Sequence, residues 1–421
     1  MGLFDLIAIL IVLAALFSYI NWRFVHLPTT IGVMLISLAG SLILILMSVF
    51  TGGGLREQVA RIVTSIDFNQ TVLHGMLAFL LFAGALHLNV SDLTRERGAI
   101  FLLAIFGTVL STFIVGGAMY FVLKLLTMNT PFIWCLLFGA LISPTDPIAV
   151  LGIMKNVGAP KSLEVQISGE SLFNDGVGVV IFLTLLEVLS GHGDISVSGV
   201  GWLLMREVLG GAALGLFAGV GVYYMLRKVD NYQVEVLLTL ALATGLYALA
   251  DRLHMSAPIA VVIAGIFIGN HGRSFAMSDR TRDHLDSFWE LIDEILNAVL
   301  FLLIGMELLV IHFRVQFWLV GLFAIPLTLG ARFVSVALIV KTMHPFRDFE
   351  NGAIRILTWG GLRGGISVAL ALSLPREAEY QPVLLAATYM VVVFSVFVQG
   401  LTIGPLIRRT RVRASPAPIS S

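Results

Sequence analysis

Apolar runs of about 20 residues recur along almost the whole chain, beginning with Leu3–Ile20. A run of this length is long enough to cross a bilayer as an α-helix. Lipid offers the backbone no hydrogen-bond partner, so only helices and closed barrels cross it, and barrels show a weaker, alternating pattern. Only 12% of the 421 residues are charged, against about 25% in a soluble domain. The sequence therefore predicts an all-α, polytopic membrane protein and argues against secreted, cytosolic and nucleic-acid-binding classes.

We predict about thirteen transmembrane spans in one membrane unit. Their approximate ranges are 3–22, 28–50, 71–90, 98–123, 131–155, 161–190, 201–227, 233–251, 256–271, 289–311, 317–343, 351–374 and 382–407. If the C-terminus is cytoplasmic, the inner segments carry 16 Lys or Arg residues and the outer segments 7. This bias follows the positive-inside rule and places the N-terminus outside. Residues 408–421 follow as a basic cytoplasmic tail near the lipid headgroups.

Two predicted spans combine intramembrane charges with residues that break helices. Span five contains Ser143–Pro147 (SPTDP), whose two prolines each remove a backbone donor. Span twelve contains Gly360–Gly365 (GGLRGG), where four glycines weaken the helix around one arginine. Each span is therefore predicted to be a discontinuous helix with an unwound centre.

The two interrupted spans are seven spans apart, and an odd offset reverses their direction across the membrane. This pattern is typical of inverted repeats, here two six-helix halves joined by span seven, with two crossed discontinuous helices at the substrate site. Half-helix N-termini present positive dipole ends and C-termini present negative ends. We expect Asp146 to offset the positive ends and Arg363 the negative ends. The alternative is two kinked helices with incidental charges.

Span six carries the densest set of polar residues, in the run Gly169–Gly176 (GESLFNDG). Ser171, Asn174 and Asp175 follow i, i+3, i+4 spacing, so their oxygens point from one helix face. These hard donors suit Na⁺ or Li⁺ rather than a transition metal. Apolar neighbours would desolvate Asp175, which could then hold a proton or a cation but not both. That exclusivity is sufficient for antiport.

Glu170 lies one position off this face and needs a partner if it is buried. Arg332, in the middle of span eleven, cannot easily reach the membrane surface and is the first candidate. Arg363 is the second candidate. The alternative is that Glu170 lies near water and is unpaired.

The other chemistry-bearing residues show no pattern typical of catalysis. The single cysteine, Cys135, excludes an intrachain disulfide and a cysteine-based metal site. The 9 histidines are scattered, and no His-Glu-x-x-His motif is formed. We expect no cofactor, no transition metal and no nucleic-acid partner, and a transporter rather than an enzyme.

Four motifs, in this order, resemble those of the NhaP/NHE-type monovalent cation:proton antiporters. The motifs are Ser143–Val150 (SPTDPIAV), Gly169–Gly176 (GESLFNDG), Gly360–Gly365 (GGLRGG) and Val398–Thr402 (VQGLT). The resemblance implies a thirteen-helix, NhaA-like antiporter fold, a homodimer in the cell inner membrane and an elevator-type cycle. A mobile core domain would take approximately 98–190 and 317–407, and a fixed dimerisation domain approximately 1–90 and 201–311.

The resemblance also implies roles for individual residues. Asp175 would be the essential ion-binding carboxylate, and its pairing with Asn174 would accompany electroneutral exchange of one Na⁺ (or Li⁺) for one H⁺. The Na⁺ site would be completed by Asp146, Ser171 and the backbone carbonyl of Thr145.

Further from the ion, the resemblance implies that Glu170 and Arg332 form a buried pair that braces the core. One position departs from the pattern, because many relatives carry a glutamate where this chain has Ala83, within Leu81–Gly84. The change bears on ion preference and on the response to pH.

Three other functions remain open on the residues alone. A K⁺/H⁺ antiporter would use the same ligands, because a flexible oxygen cage can be resized. A channel would need a continuous pore lined by carbonyls or charge rings. An intramembrane aspartyl protease could use Asp146 and Asp175 as its pair, but neither of these aspartates lies in a Gly-x-Gly-Asp sequence.

Overall fold

A computed structural model describes residues 3–51, 70–190, 197–311, 314–375 and 378–410. Within these ranges the chain is helical, with one isolated β-bridge between Asp146 and Leu362. Most of the predicted tail, from residue 411 onwards, lies outside the described residues. The segment 52–69, between the second and third predicted spans, lies outside them as well.

We number the α-helices in chain order. They are α1 (Leu3–Ile20), α2 (Thr29–Thr51), α3 (Leu77–Leu86), α4 (Val90–Phe101), α5 (Thr108–Leu125), α6 (Phe132–Ile142), α7 (Ile148–Val157), α8 (Lys161–Leu189), α9 (Val197–Leu226), α10 (Tyr232–Arg252), α11 (Ala257–Phe267), α12 (Arg273–Ala276), α13 (Asp279–Glu307), α14 (Val315–Met343), α15 (Ala353–Trp359), α16 (Gly365–Leu372), α17 (Gln381–Phe394) and α18 (Gly400–Arg409). Short π-helical turns extend or join several of them, at Asn21–Val25, Gln70–Met76, Leu102–Gly107, Ile268–Gly272 and Ser395–Gln399.

Eight helical rods in the described ranges are long and apolar enough to cross a membrane. They are Phe4–Val25, Thr29–Ser48, Val90–Leu125, Lys161–Leu189, Gly201–Leu226, Tyr232–Arg252, Val315–Met343 and Gln381–Arg409. The protein is therefore an all-helical, polytopic membrane protein, and the count of thirteen spans stays a prediction.

Two helices begin well before the predicted spans that they carry. The rod of span four begins at Val90, because the Asn89 side chain accepts a hydrogen bond of 2.9 Å from the Ser91 N–H and caps the helix. The helix of span ten, α13, begins at Asp279 and not near residue 289. Its first turns are rich in charged residues, and hydropathy does not register them.

The two helix breaks lie at the proline-rich and glycine-rich runs. Ser143–Pro147 separates α6 from α7, and Gly360–Gly364 separates α15 from α16. Pro144 and Pro147 have no N–H to donate to the preceding turn. Both rods therefore have an unwound centre.

The helices form two sets, each packed mainly within itself. One set contains α4–α8 and α14–α18, and the other contains α1–α3 and α9–α13. Contacts between the sets run mainly through α8, which packs on α9 and α11, and through α16, which packs on α13. In the second set, α9 and α11 approach so closely that a Cβ on Gly211 would lie 2.5 Å from the Ser256 carbonyl oxygen.

Candidate functional site

The two unwound segments meet each other inside the first helix set. The backbone N–H of Asp146 donates a hydrogen bond of 2.8 Å to the carbonyl oxygen of Leu362, which forms an antiparallel bridge. This bridge satisfies backbone groups that the broken helices leave without helical partners. The crossing therefore brings together residues more than 200 positions apart in the sequence.

Charged side chains occupy the helix ends at this crossing. The Arg363 guanidinium donates to the carbonyl oxygens of Ser143 and Pro144, the latter at 2.8 Å, at the C-terminal end of α6. The Asp146 carboxylate accepts a hydrogen bond of 2.9 Å from the Ile148 N–H, at the N-terminal end of α7. Each charge therefore lies at the dipole end of opposite sign.

Arg363 is held in position by the π-helical turn Ser395–Gln399, between α17 and α18. Its backbone N–H donates to the Ser395 hydroxyl at 2.9 Å, and that hydroxyl donates to the Gln399 side chain at 2.6 Å. Gln399 in turn donates to the Trp359 carbonyl oxygen at 2.9 Å, just before the break. Sequence reasoning included Gln399 in a family motif but missed Ser395, which lies four residues earlier on the same face.

The polar face of α8 is buried against the α6–α7 break. The Thr145 N–H donates to the Asn174 side-chain oxygen at 3.1 Å, and the Asn174 amide donates to the Thr145 hydroxyl at 2.8 Å. The hydroxyls of Thr145 and Ser171 lie 2.9 Å apart, at hydrogen-bond distance. The Asn174 amide thus accepts one hydrogen bond from Thr145 and donates another to it, which positions Thr145.

Asp175, on the next position of α8, is only 8% exposed. It lies within electrostatic range of Asp146 and Arg363. In the described part of the chain, neither aspartate takes part in an ion pair. Two carboxylates therefore share this region with one guanidinium that is bound to backbone carbonyls.

Glu170 and Arg332 form a bidentate ion pair inside the same helix set. The Arg332 Nη2 lies 2.8 Å from the Glu170 Oε2, and Nη1 contacts Oε1. Arg332 also donates to the Leu357 carbonyl oxygen, at 3.1 and 3.3 Å. The pair, with Glu170 only 1% exposed, joins α8, α14 and α15.

Ala83 is buried on α3, in the second helix set. Its carbonyl oxygen lies 2.8 Å from the His87 Nδ1. The neighbouring Gly84 faces α8, since a Cβ on it would lie 3.6 Å from the Leu172 side chain. At this position α3 therefore brings an apolar residue and not a carboxylate.

The donor groups at the crossing are carboxylates, hydroxyls and backbone carbonyls. Such hard oxygen ligands favour an alkali cation over a transition metal. They lie between two half-helices that can compensate the charge of an ion or of an ionised carboxylate. The arrangement can bind a small monovalent cation, or a proton on a carboxylate, in the same space.

Comparison with known proteins places the chain in a family. Residues 10–409 match the family described as sodium/hydrogen exchanger, transmembrane. The Na⁺/H⁺ antiporter NhaP of Pseudomonas aeruginosa is 50% identical over 412 residues, which cover 96% of each chain. The Na⁺/H⁺ antiporter NhaH of Halobacillus dabanensis is 36% identical, over 84% of this chain and 86% of that protein.

The fold is also similar to that of a solved structure. The sodium proton antiporter MjNhaP1 of Methanocaldococcus jannaschii superimposes with a TM-score of 0.77, over 97% of this chain and 99% of that one, at 20% identity. The sequence match and the shared fold agree over nearly the whole length. The chain therefore belongs to the family of transmembrane sodium/hydrogen exchangers, which are transporters.

Proposed function

We propose that this protein exchanges Na⁺ or Li⁺ for H⁺ across the cytoplasmic membrane, as a secondary active antiporter. Both relatives found by sequence and quoted above are named Na⁺/H⁺ antiporter. The observation that carries the proposal is the buried carboxylate of Asp175, which lies within electrostatic range of Asp146, at the crossing of two interrupted helices. Such crossings are where transporters of this architecture bind their ions.

In the proposed cycle the cation binds to Asp175 and Asp146, with Ser171 and the backbone carbonyl of Thr145 as further ligands. Protonation of Asp175 removes its charge and so expels the cation. Because the same carboxylate holds either ion but not both, transport in one direction requires counter-transport of the other. Asn174 holds Thr145 in place, which its two hydrogen bonds support.

The exchange is proposed to be electroneutral, with one Na⁺ for one H⁺. Only one of the two adjacent residues on α8, Asp175, can ionise, and the other is the amide of Asn174. A single carboxylate carries one positive charge in each direction, a monovalent cation one way and a proton the other. No net charge therefore crosses the membrane in a complete cycle.

The cycle is proposed to be elevator-like, in a homodimer whose N-termini face outwards and whose C-termini face the cytoplasm. The core domain (about 98–190 and 317–407) would move against a fixed dimerisation domain (about 1–90 and 201–311). The presence of two helix sets, joined mainly through α8 and α16, supports a sliding contact. The Glu170–Arg332 pair would keep the moving set rigid.

The experiment is exchange in proteoliposomes that contain a pH-sensitive dye. A pH gradient is imposed, and Na⁺, Li⁺ or K⁺ is added in turn, with choline as the inactive cation. We expect Na⁺ and Li⁺ to collapse the gradient and K⁺ to leave it. Collapse by K⁺ alone would replace the proposal by K⁺/H⁺ antiport, and fast cation flux without a proton counter-gradient would replace it by a channel.

A further inference from the structure

One face of α13 borders the crossing directly, although α13 belongs to the other helix set. Gly365, the first residue of α16, contacts Leu300, since a Cβ on Gly365 would lie 2.6 Å from the Leu300 Cγ. The preceding residue, Gly364, contacts the Asp146 side chain in the same way. Asp146, the glycine pair and Leu300 therefore form one continuous line of contacts.

The same face of α13 carries Asp293 and Asn297. At about 100° per residue, Asp293 lies about 20° from Leu300 around the helix, and Asn297 about 40° from Asp293. Asp293 is half-buried and lies within electrostatic range of Asp146 across the interface between the helix sets. Asp293 and Asn297 therefore face the crossing from the second helix set, whereas the crossing itself lies in the first set.

Asn297 is a buried amide whose side-chain oxygen has no hydrogen-bond partner among the described residues. The residue is 2% exposed, and the only group that its amide N–H approaches among the described residues is the Asp293 carboxylate. The side chain lies next to the Asp293 carboxylate. Because an unsatisfied buried polar group is costly, this pair is suited to a polar ligand that arrives and leaves.

The charges around Asp293 are mainly negative. Asp146, Glu294 and Glu290 act on it electrostatically, and no ion pair to Asp293 is formed among the described residues. Glu290 and Glu294 are exposed on the same helix, so water partly screens them. A carboxylate and an amide oxygen in a negative field attract a cation and not an anion.

We propose that Asp293 and Asn297 form a second, transient binding station for the transported monovalent cation, displaced along α13 from the crossing. Seven residues of helix separate Asp293 from Leu300, which corresponds to about 10 Å towards the N-terminal end of α13. The predicted topology puts that end on the cytoplasmic side. A cation approaching from there meets Asp293 and Asn297 before it meets Asp146 and Asp175.

This inference rests on the proposed function, because the station serves the same ion. It adds a residue pair on a helix that the proposed ion ligands do not include. It also gives the second helix set a carboxylate near the site, where α3 brings only Ala83. The cation would pass between the second station and the crossing when the two helix sets have the relative position seen in this structure.

The first test measures binding without turnover. Purified D175N protein is heated in Na⁺ or in choline at equal ionic strength, and the Na⁺-dependent rise in Tm is compared between variants. We expect D175N to keep part of the wild-type rise, D175N/E294Q to keep the same part, and D175N/D293N to lose it. The second station is ruled out if D175N shows no Na⁺-dependent rise in Tm, or if D175N/D293N shows the same rise as D175N.

The second test measures transport kinetics from each side of the membrane. In oriented proteoliposomes, D293N should raise the apparent KM for Na⁺ about tenfold from the side where α13 begins, with kcat within about twofold of wild type. The matched control E294Q, which removes a neighbouring exposed charge, should change KM less than about twofold. N297A should act in the same direction as D293N.

The two proposals fail in different ways. If the wild-type protein exchanges no cation for H⁺, the proposed function falls. If the wild-type protein exchanges ions but D293N and E294Q behave alike from both sides, only the second station falls.

Discussion

Arg363 donates a hydrogen bond of 2.8 Å to the carbonyl oxygen of Pro144, across the crossing of the two interrupted helices. Arg363 is 2% exposed, and its guanidinium also contacts the Ser143 carbonyl oxygen. It therefore compensates the end of α6, and among the described residues it forms no ion pair with an aspartate. A buried cation used in this way leaves the carboxylates of Asp146 and Asp175 free to bind an ion from solution.

Asp175→Asn should abolish Na⁺/H⁺ exchange and leave the protein folded. The amide has the same shape as the carboxylate but can neither lose a proton nor supply a full negative charge to a cation. Exchange is measured by dye dequenching in proteoliposomes, and folding by the elution profile in detergent. The control is Asp283→Asn, an exposed carboxylate on α13. Turnover of Asp175→Asn close to that of wild type would show that Asp175 is not the carboxylate that takes up the proton and the cation in turn.

Gly364→Ala should impair exchange more than it impairs folding. The added Cβ would lie 2.6 Å from the Cβ of Asp146 and 2.7 Å from its Cγ, so the Asp146 side chain must move. Overpacking of this kind costs roughly 1–3 kcal/mol, and we expect Na⁺ turnover to fall about tenfold.

Gly117→Ala is the matched control for this glycine. It lies inside α5, and nothing is within 4 Å of the position of its Cβ. The change should be neutral, or stabilise the helix by about 0.5–1 kcal/mol. Equal transport by the two variants would show that the contact between Gly364 and Asp146 has no functional effect.

Glu170→Gln should destabilise the protein by roughly 3–5 kcal/mol, because it leaves the buried charge of Arg332 without its partner. The variant should lower the thermal stability in detergent and the folded yield, while the apparent affinity for Na⁺ changes little. The control on the same helix is Glu164→Gln, which breaks the 3.4 Å pair with the exposed Lys161 and should cost less than about 1 kcal/mol. A large loss of ion affinity at unchanged stability would contradict a structural role for Glu170.

The exchange rate should be insensitive to membrane potential. Moving one net charge per cycle through 100 mV is worth about 2.3 kcal/mol, which would displace the final Na⁺ gradient about 50-fold. With K⁺ and valinomycin clamping the potential and the pH gradient held constant, we expect rates within about twofold between 0 and 100 mV. A steep dependence on potential would exclude one-for-one exchange.

Part of the fold could be predicted because its causes are local. An apolar run of about 20 residues has to become a membrane helix, since lipid cannot satisfy its backbone. The prolines of Ser143–Pro147 remove donors within one turn, and the structure interrupts the helix there. The start of α13 could not be predicted in this way, because its charged first turns carry no hydropathy signal.

Contacts between distant residues could not be chosen from the sequence. Glu170 had two candidate arginines, with Arg332 ranked first, and the structure confirms the pair with Arg332. Arg363 is instead bound to the carbonyls of Ser143 and Pro144. The spacing that places Asn174 on the polar face of α8 does not say that its amide is used on Thr145. Asp293 was missed because it lies near the start of a predicted span, where carboxylates are common.

By itself, then, the sequence determined that the chain is helical, that it lies in a membrane and where two of its helices would break. These properties depend on the solvent and on forces within a few residues. The tertiary structure alone decided which buried charges neutralise one another and which stay available to an ion. That choice depends on distances between helices that are far apart in the chain, and in a medium of low dielectric a few ångströms separate a paired charge from a binding site.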